Sequence, residues 1–240
     1  MTSEKRTAAC ENCINEMQAH DTECMLADRE KQLGKPALLL HSCCGPCSTA
    51  CIERLAPDYE ITVFFYNPNI TDTVEYNRRK ENQKRFIREY NDDPQIPYKV
   101  SYMEGDYDPE EFIELCGKYS CEPEGGKRCG LCFELRLKKT AETAALLNFD
   151  TFTTTLTVSP HKDHKVIFAI GRRLADIYKV GFLEEDFKKK DGFKRSVELA
   201  KKHDLYRQDF CGCEFSRAEA EERRNKKETR EGKKERKETK

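Results

Sequence analysis

The chain has 240 residues, 37% hydrophobic and 36% charged, enough for one sizeable core or two small ones. A formal net charge of −1 gives no global sign of a nucleic-acid binder, and no stretch approaches the roughly 18 apolar residues of a membrane span. Residues 1–20 hold no apolar run that could serve as a secretion signal, so a cytoplasmic chain without a membrane partner is expected. There, thirteen cysteines point to metal ligands or redox groups rather than a static disulfide frame.

Residues 1–35 read as an N-terminal extension. Asn15 to Leu33 mixes polar and apolar residues as a surface helix does, with Gly34 as its stop. Cys10-x-x-Cys13 and Cys24 have no second paired motif nearby. Pro36 to Leu40 is a short apolar run that predicts a buried strand, and Ser48 to Leu55 is helical, with Ala50, Cys51, Arg54 and Leu55 on one face. Between them lies His41-Ser42-Cys43-Cys44-Gly45-Pro46-Cys47. Three thiols therefore sit where a strand ends and a helix begins. That edge of an open parallel sheet binds ligands, and a helix N-terminus favours thiolates.

Glu60 to Tyr66 predicts a second strand, ended by Asn67-Pro68-Asn69. Thr73 to Tyr90 is a long polar helix carrying Arg78, Arg79, Lys80, Lys84, Arg85 and Arg88, which reads either as a solvated face or as a phosphate-contacting one. Pro97 to Met103 is a third strand. Asp108 and Pro109 fit the N-cap and first position of a helix to about Cys116. A Gly- and Pro-rich loop from Cys121 leads to Cys129-x-x-Cys132 and a helix to about Leu147, with Phe133, Leu137, Ala141 and Ala144 on its apolar face. Asp150 to Thr157 is a fourth strand. A turn through Asp163 opens a helix in which Val166, Ile167, Ile170, Leu174 and Ile177 recur at helical spacing. Lys179 to Leu183 is a short fifth strand, Glu184 to Lys190 a charged loop, and Ser196 to His203 a helix. After Cys211-Gly212-Cys213, the segment from Arg217 to Lys240 holds 11 Lys/Arg against 7 Asp/Glu and predicts a frayed helix or a disordered tail.

Alternating strands and helices predict an α/β fold: a parallel, Rossmann-like sheet flanked by helices, with the metal site at the C-terminal edge of the strands. The domains expected are the extension (1–35), a catalytic domain (36–216) and the charged tail (217–240). Four thiolates suit zinc or an iron–sulfur cluster, and spacing alone does not choose. A parallel-sheet domain needs no zinc to fold, which favours a functional metal site over a structural one. Cys211 and Cys213, separated by a single residue, read as a redox dithiol, as a further pair of ligands or as two idle thiols. Cys51 belongs to an apolar helix face and reads as core. Cys116 and Cys121 lack a partner pattern. His161 and His164, near Asp163, are candidate proton donors.

Several motifs, in one order, carry a resemblance. They are Leu38-Leu-Leu-His-Ser-Cys-Cys-Gly-Pro-Cys47, Phe65-Tyr-Asn-Pro-Asn69, Glu75-Tyr-Asn-Arg78, Gly126-Lys-Arg-Cys129-x-x-Cys132 with Leu135-Arg-Leu137, Phe152-Thr-Thr-Thr-Leu156 with Ser159-Pro-His-Lys-Asp163, and Tyr206-Arg-Gln-x-x-Cys211-Gly-Cys213-x-Phe-Ser216. Over about residues 36–216 the chain resembles the QueH family of epoxyqueuosine reductases. The resemblance implies an oxidoreductase acting on tRNA in the last step of queuosine biosynthesis, removing an epoxide oxygen without cobalamin. It implies a [4Fe-4S] cluster on Cys43, Cys44, Cys129 and Cys132, with an adjacent iron for which Cys47 and Asp163 are the candidates by position. It implies a redox-active disulfide between Cys211 and Cys213. The partners implied are a tRNA with a queuosine-type anticodon loop and an electron donor of unknown identity. Asp163, His161 and Tyr206 are candidate proton donors, and Arg78, Arg79, Arg172 and Arg173 candidate phosphate contacts.

Two other classes compete. An ATP-dependent tRNA-modifying enzyme would need a Gly/Ser-rich phosphate loop after the first strand, where this chain has thiols and a single glycine. A zinc-stabilised RNA-binding module without catalysis suits the basic helix but leaves Cys211 and Cys213 without a purpose.

Overall fold

The computed structural model describes residues 34–238. Five strands form one all-parallel sheet: β1 (Ala37–His41), β2 (Glu60–Phe65), β3 (Val100–Glu104), β4 (Thr151–Thr154) and β5 (Gly181–Phe182), in the spatial order β3-β2-β1-β4-β5. Seven helices accompany them: α1 (Gly45–Leu55), α2 (Thr73–Asp92), α3 (Pro109–Cys116), α4 (Lys127–Leu146), α5 (His164–Tyr178), α6 (Gly192–Lys202) and α7 (Glu214–Glu238).

The central strand explains the two-layered cover. β1 is buried at every residue, and its side chains alternate between faces as strand geometry requires. Leu39 packs with Phe152, Leu137, Ala141, Ile167 and Leu174, so α4 and α5 cover one face. Leu38 and Leu40 pack with Ile52, Leu55, Val63, Phe86 and Ile87, so α1 and α2 cover the other. Each of these buried leucines contributes about 1.5–3 kcal/mol by leaving water. Parallel strands buried on both faces read as continuous apolar runs, as Leu38-Leu39-Leu40 does.

Strand order places the site. From β1 the chain builds β2 and β3 on one side, then returns to add β4 and β5 on the other. The connections therefore diverge between β1 and β4, the switch point outside whose carboxyl ends ligands bind in open α/β sheets. His41 ends β1 in register with Thr154 at the end of β4 and Phe64 near the end of β2.

The boundaries depart from expectation in informative ways. α1 begins at Gly45, one turn before Ser48, because Pro46 has the backbone preset for a first helical turn and Cys44 is its extended N-cap. Cys47 thus lies inside the helix. β4 stops at Thr154 and a 3₁₀ turn (Thr155–Val158) follows, so the last three residues of the expected strand are turn. β5 shrinks to two residues because Lys179 takes the left-handed conformation, φ 57°, that ends α5. α6 starts four residues before Ser196. Asp108 and Pro109 open α3 as expected, with the Asp108 carboxylate accepting from Glu111 N at 3.3 Å. Of the two forms expected for the charged tail, the structure has helix, and α7 starts at Glu214.

Candidate metal centre

The loop after β1 is held from several sides. Asn67 Nδ2, just beyond β2, donates to the Ser42 carbonyl at 2.9 Å, and the Ser42 hydroxyl donates to Gln83 Oε1 of α2 at 2.7 Å. Thr155, from the turn after β4, accepts from Cys43 N at 3.4 Å, and its hydroxyl lies 3.7 Å from Cys43 Sγ. Gly45 lets α1 meet α2 closely, since a Cβ there would stand 3.0 Å from Asn82 Nδ2. The outcome is a preformed trio: the sulfurs of Cys43, Cys44 and Cys47 lie within 4.8 Å of one another, two buried and one half-buried. Three thiols this close share charge unequally. Hydrogen bonds from Cys44 and Cys47 hold the Cys43 thiol well below the usual range, while Cys44 is pushed up to about 12 and Cys47 up as well by the same bonds. A cation would relieve that repulsion.

The second group of thiols comes from α4 and the chain before α7. Cys129 and Cys132 occupy the first turns of α4, and Gly125 N donates to Cys129 Sγ at 3.2 Å. The loop before them is folded around Arg128, whose guanidinium donates to the carbonyls of Tyr119, Ser120 and Glu122 and reaches Glu219 of α7 at 3.3 Å. Cys129 and Cys132 line one small pocket with Cys211 and Cys213, closed by Phe112 and Ser216. Burial raises the thiols of Cys129, Cys132 and Cys213.

Arg79 fixes the Cys211-Gly212-Cys213 turn. Its Nε donates to Glu75 at 2.6 Å and its Nη1 to the Cys211 carbonyl at 3.0 Å. Gly212 has φ +125°, and a Cβ there would stand 2.8 Å from Ile70 Cγ1 and 3.2 Å from Arg79 Nη1. Ser216 N donates to Cys213 Sγ at 3.4 Å. The turn that carries both thiols is therefore anchored to α2.

Two cations join the groups of thiols. Arg136 is fully buried on α4. Burial opposes its charge, but Cys132, Cys211, Cys43 and Cys129 outweigh it and hold the guanidinium above its ordinary value. Lys162, in the turn before α5, is likewise raised: burial acts against its charge, and Cys211 and Cys43 overcome it. His41 is the uncharged neighbour. Its Nε2–H donates to the Tyr66 carbonyl at 3.1 Å, so Nδ1 accepts from the Thr154 hydroxyl at 2.8 Å. Burial, then the charge of Arg136, lowers its pKa to about 3.

Residues 38–219 match the family model described as epoxyqueuosine reductase QueH. The chain belongs to the QueH family. A QueH epoxyqueuosine reductase from Streptococcus pyogenes serotype M1 is 42% identical over 187 residues, covering 78% of this chain and 72% of that one. One from Staphylococcus epidermidis is 38% identical over 194 residues, covering 80% and 81%. One from Thermotoga maritima is 33% identical over 189 residues, covering 78% and 93%.

Of the positions singled out from the QueH resemblance, the structure brings together Cys43, Cys44 and Cys47 directly, and Cys129, Cys132, Cys211 and Cys213 around one pocket. Asp163 is placed differently. Its exposed carboxylate caps α5 by accepting from Lys165 N at 2.8 Å, and it is not part of the thiol group. His161 is exposed, and His164 lies 3.9 Å from Asp186. The Tyr206 hydroxyl donates to Glu75 at 3.0 Å, and Arg78 stacks on its ring at 3.4 Å. Arg79 leaves the phosphate-contacting face, because its pair with Glu75 one turn earlier is buried. Arg172 and Arg173 are exposed, on Glu184 and Glu134. Cys51 is core, as expected, with its thiol donating to the Cys47 carbonyl at 3.3 Å. Cys116, given no role, packs with Cys132 and Cys213, and Cys121 is exposed. Cys10, Cys13 and Cys24 lie outside the described residues. Sequence reasoning gave Arg79 to phosphate and missed Arg136, Lys162 and His41. For Arg136 a signal existed: it follows Cys129 and Cys132 at i+7 and i+4, on their face of α4. Among the described residues, no helix is long and apolar enough to cross a membrane.

Proposed function

We propose that this chain reduces epoxyqueuosine in tRNA to queuosine, the last step of queuosine biosynthesis, by removing the epoxide oxygen with two electrons and two protons. The observation that carries the reading is a trio of thiols at the switch point of a QueH chain, with four more around one pocket and both groups acting on the same two cations. The donor set fits a thiolate-held centre: Cys129 accepts a backbone N–H, hydrogen bonds from its neighbours lower the Cys43 thiol, and nearby thiols favour the charged forms of Arg136 and Lys162. Cys43, Cys44, Cys129 and Cys132 would hold a [4Fe-4S] cluster, and Cys47 with Asp163 an adjacent iron. When bound, this pair would supply single electrons and Lewis acidity, without cobalamin.

The chain's own residues do the rest. Cys211 and Cys213 release two electrons and two protons when they close to a disulfide, the numbers that turning an epoxide into an alkene and water consumes. The anchored turn holds both sulfurs beside Cys129 and Cys132. Lys162 keeps a positive charge beside the thiols, where an oxygen leaving the ring develops negative charge. Tyr206, bonded to Glu75, and the exposed His161 are the candidate proton carriers. Arg78 and Arg88, both exposed on α2, would meet tRNA phosphates. An external donor returns the dithiol to its reduced form.

The test begins with iron, zinc and acid-labile sulfide on anaerobically purified protein. Iron in excess of four per chain with matching sulfide, and conversion of epoxyqueuosine-containing tRNA read from its nucleosides, are expected. Zinc without sulfide, persisting after anaerobic reconstitution with iron and sulfide, would overturn the reading in favour of a zinc-stabilised RNA-binding module. Cys211→Ser is expected to abolish multiple turnover, and unchanged turnover removes the dithiol from the mechanism.

A further inference from the structure

Among the described residues three arginines are fully buried, and their surroundings differ. Arg79 has Glu75 at 2.6 Å and two backbone carbonyls. Arg128 has Glu219 at 3.3 Å and three carbonyls. Arg136, at 0% exposure, has one bond, from Nε to the Cys132 carbonyl at 3.3 Å, an acceptor on its own helix. Its Nη1 and Nη2 have no acceptor among the described residues. A buried guanidinium without a counter-charge is costly, because water is removed from it and nothing is returned. The groups that favour its charge are all thiols: Cys132, Cys211, Cys43 and Cys129.

α4 makes this placement deliberate in register. Cys129, Cys132 and Arg136 follow one another at i, i+3 and i+7, so one stripe of the helix carries two thiols and the cation. The stripe lies between two apolar groups: Cys129 packs against the one that contains Cys43 and Cys44, and Cys132 belongs to the one that contains Cys213. Five N–H donors on a rigid plane cannot be deprotonated at working pH, so the charge is permanent.

We infer that Arg136 is the built-in counter-ion of the thiolate metal centre, its two unpartnered Nη groups donating to sulfur when the centre is loaded and raising its reduction potential. The inference rests on the cluster reading of the proposed function and adds a tuning residue to it. Each hydrogen bond to sulfur, and each positive charge beside a cluster, favours the more negative, reduced state. Arg136 acts through the centre and is not assigned to substrate.

The experiment compares wild type, Arg136→Met and Arg136→Lys after anaerobic reconstitution with iron and sulfide. Iron and sulfide are counted, the midpoint potential is read by spectroscopically monitored redox titration, and thermal unfolding is followed for metal-free and loaded forms. Arg136→Met is expected to lower the midpoint by about 60 mV or more, a tenfold change in a one-electron equilibrium. Arg136→Lys should stay nearer wild type. Loading should raise the unfolding midpoint less in Arg136→Met than in wild type, because only the wild type gains a partner for a buried charge. Equal potentials, or an equal gain on loading, would overturn the inference while leaving the cluster reading intact. A metal-free Arg136→Met protein that does not fold would also overturn it, by showing that the guanidinium is needed without the centre. A wild type that takes up no iron and sulfide defeats the cluster reading first, and the inference with it.

Discussion

Gly212 shows how much a single position contributes. Its φ of +125° is a region L side chains rarely adopt, and the space for a Cβ is taken by Ile70 and Arg79. Those two neighbours belong to the segment after β2 and to α2, so the glycine lets the dithiol turn dock on the rest of the molecule. Gly212→Ala is expected to cost about 1–3 kcal/mol in strain and to lift the turn from Arg79. Urea unfolding should give a lower midpoint, and Cys213, buried in wild type, should react faster with an alkylating agent. An unchanged midpoint with unchanged Cys213 reactivity would show that the turn is not held as described. At this scale the thiols were legible in the sequence because their residue type carries their chemistry. Arg79 and Arg136 were not. An arginine in a helix rich in charge reads as solvated until the packed face is known, and the apolar markers of α4, Phe133, Leu137, Ala141 and Ala144, point to a neighbouring stripe.

At the scale of elements, the strands and helices were legible from periodicity, and their ends were less so. Rules for individual caps worked where one residue decides the end, as Asp108 does for α3. They failed where two elements negotiate the boundary. The end of β4 is set by Thr154 and Thr155, which turn to meet His41 and Cys43, and nothing local in a run of threonines announces that turn. Asp163 is the element-scale case that bears on function, because it caps α5 and is also the proposed carboxylate for an adjacent iron. Asp163→Asn separates these duties. Asparagine caps a helix about as well as aspartate, and losing the negative charge at the first turn costs only about 0.3–1 kcal/mol. The variant should therefore unfold within a few degrees of wild type, yet carry about one iron fewer per chain and reduce little epoxide. If iron content and turnover stay at wild-type values, Asp163 is a cap alone.

The whole molecule decides whether a metal on these thiols would be structural or functional. Zinc-stabilised modules are too small to bury a sufficient core, so removing the ion unfolds them. Here the two faces of the sheet carry separate apolar layers, one under α4 and α5 and one under α1 and α2, and Cys43 and Cys44 are the only proposed cluster ligands buried within the first. β1, the centre of both layers, pairs on each side through backbone hydrogen bonds that involve no thiol. Nothing in that arrangement requires a metal for the sheet to form. Chelation under anaerobic conditions is therefore expected to leave the far-UV circular dichroism nearly unchanged and to preserve a single cooperative thermal transition. The midpoint should fall, because a ligand that binds only the folded state stabilises it by its binding free energy, and its loss returns that amount. The fall should be accompanied by local loosening of the thiol segments, read as faster alkylation of Cys129 and Cys132. The parallel sheet would then be the scaffold that positions sulfurs, and the metal its cargo at the switch point. Loss of the far-UV signal together with the cooperative transition would instead make the metal part of the fold and remove the main physical argument for a catalytic centre.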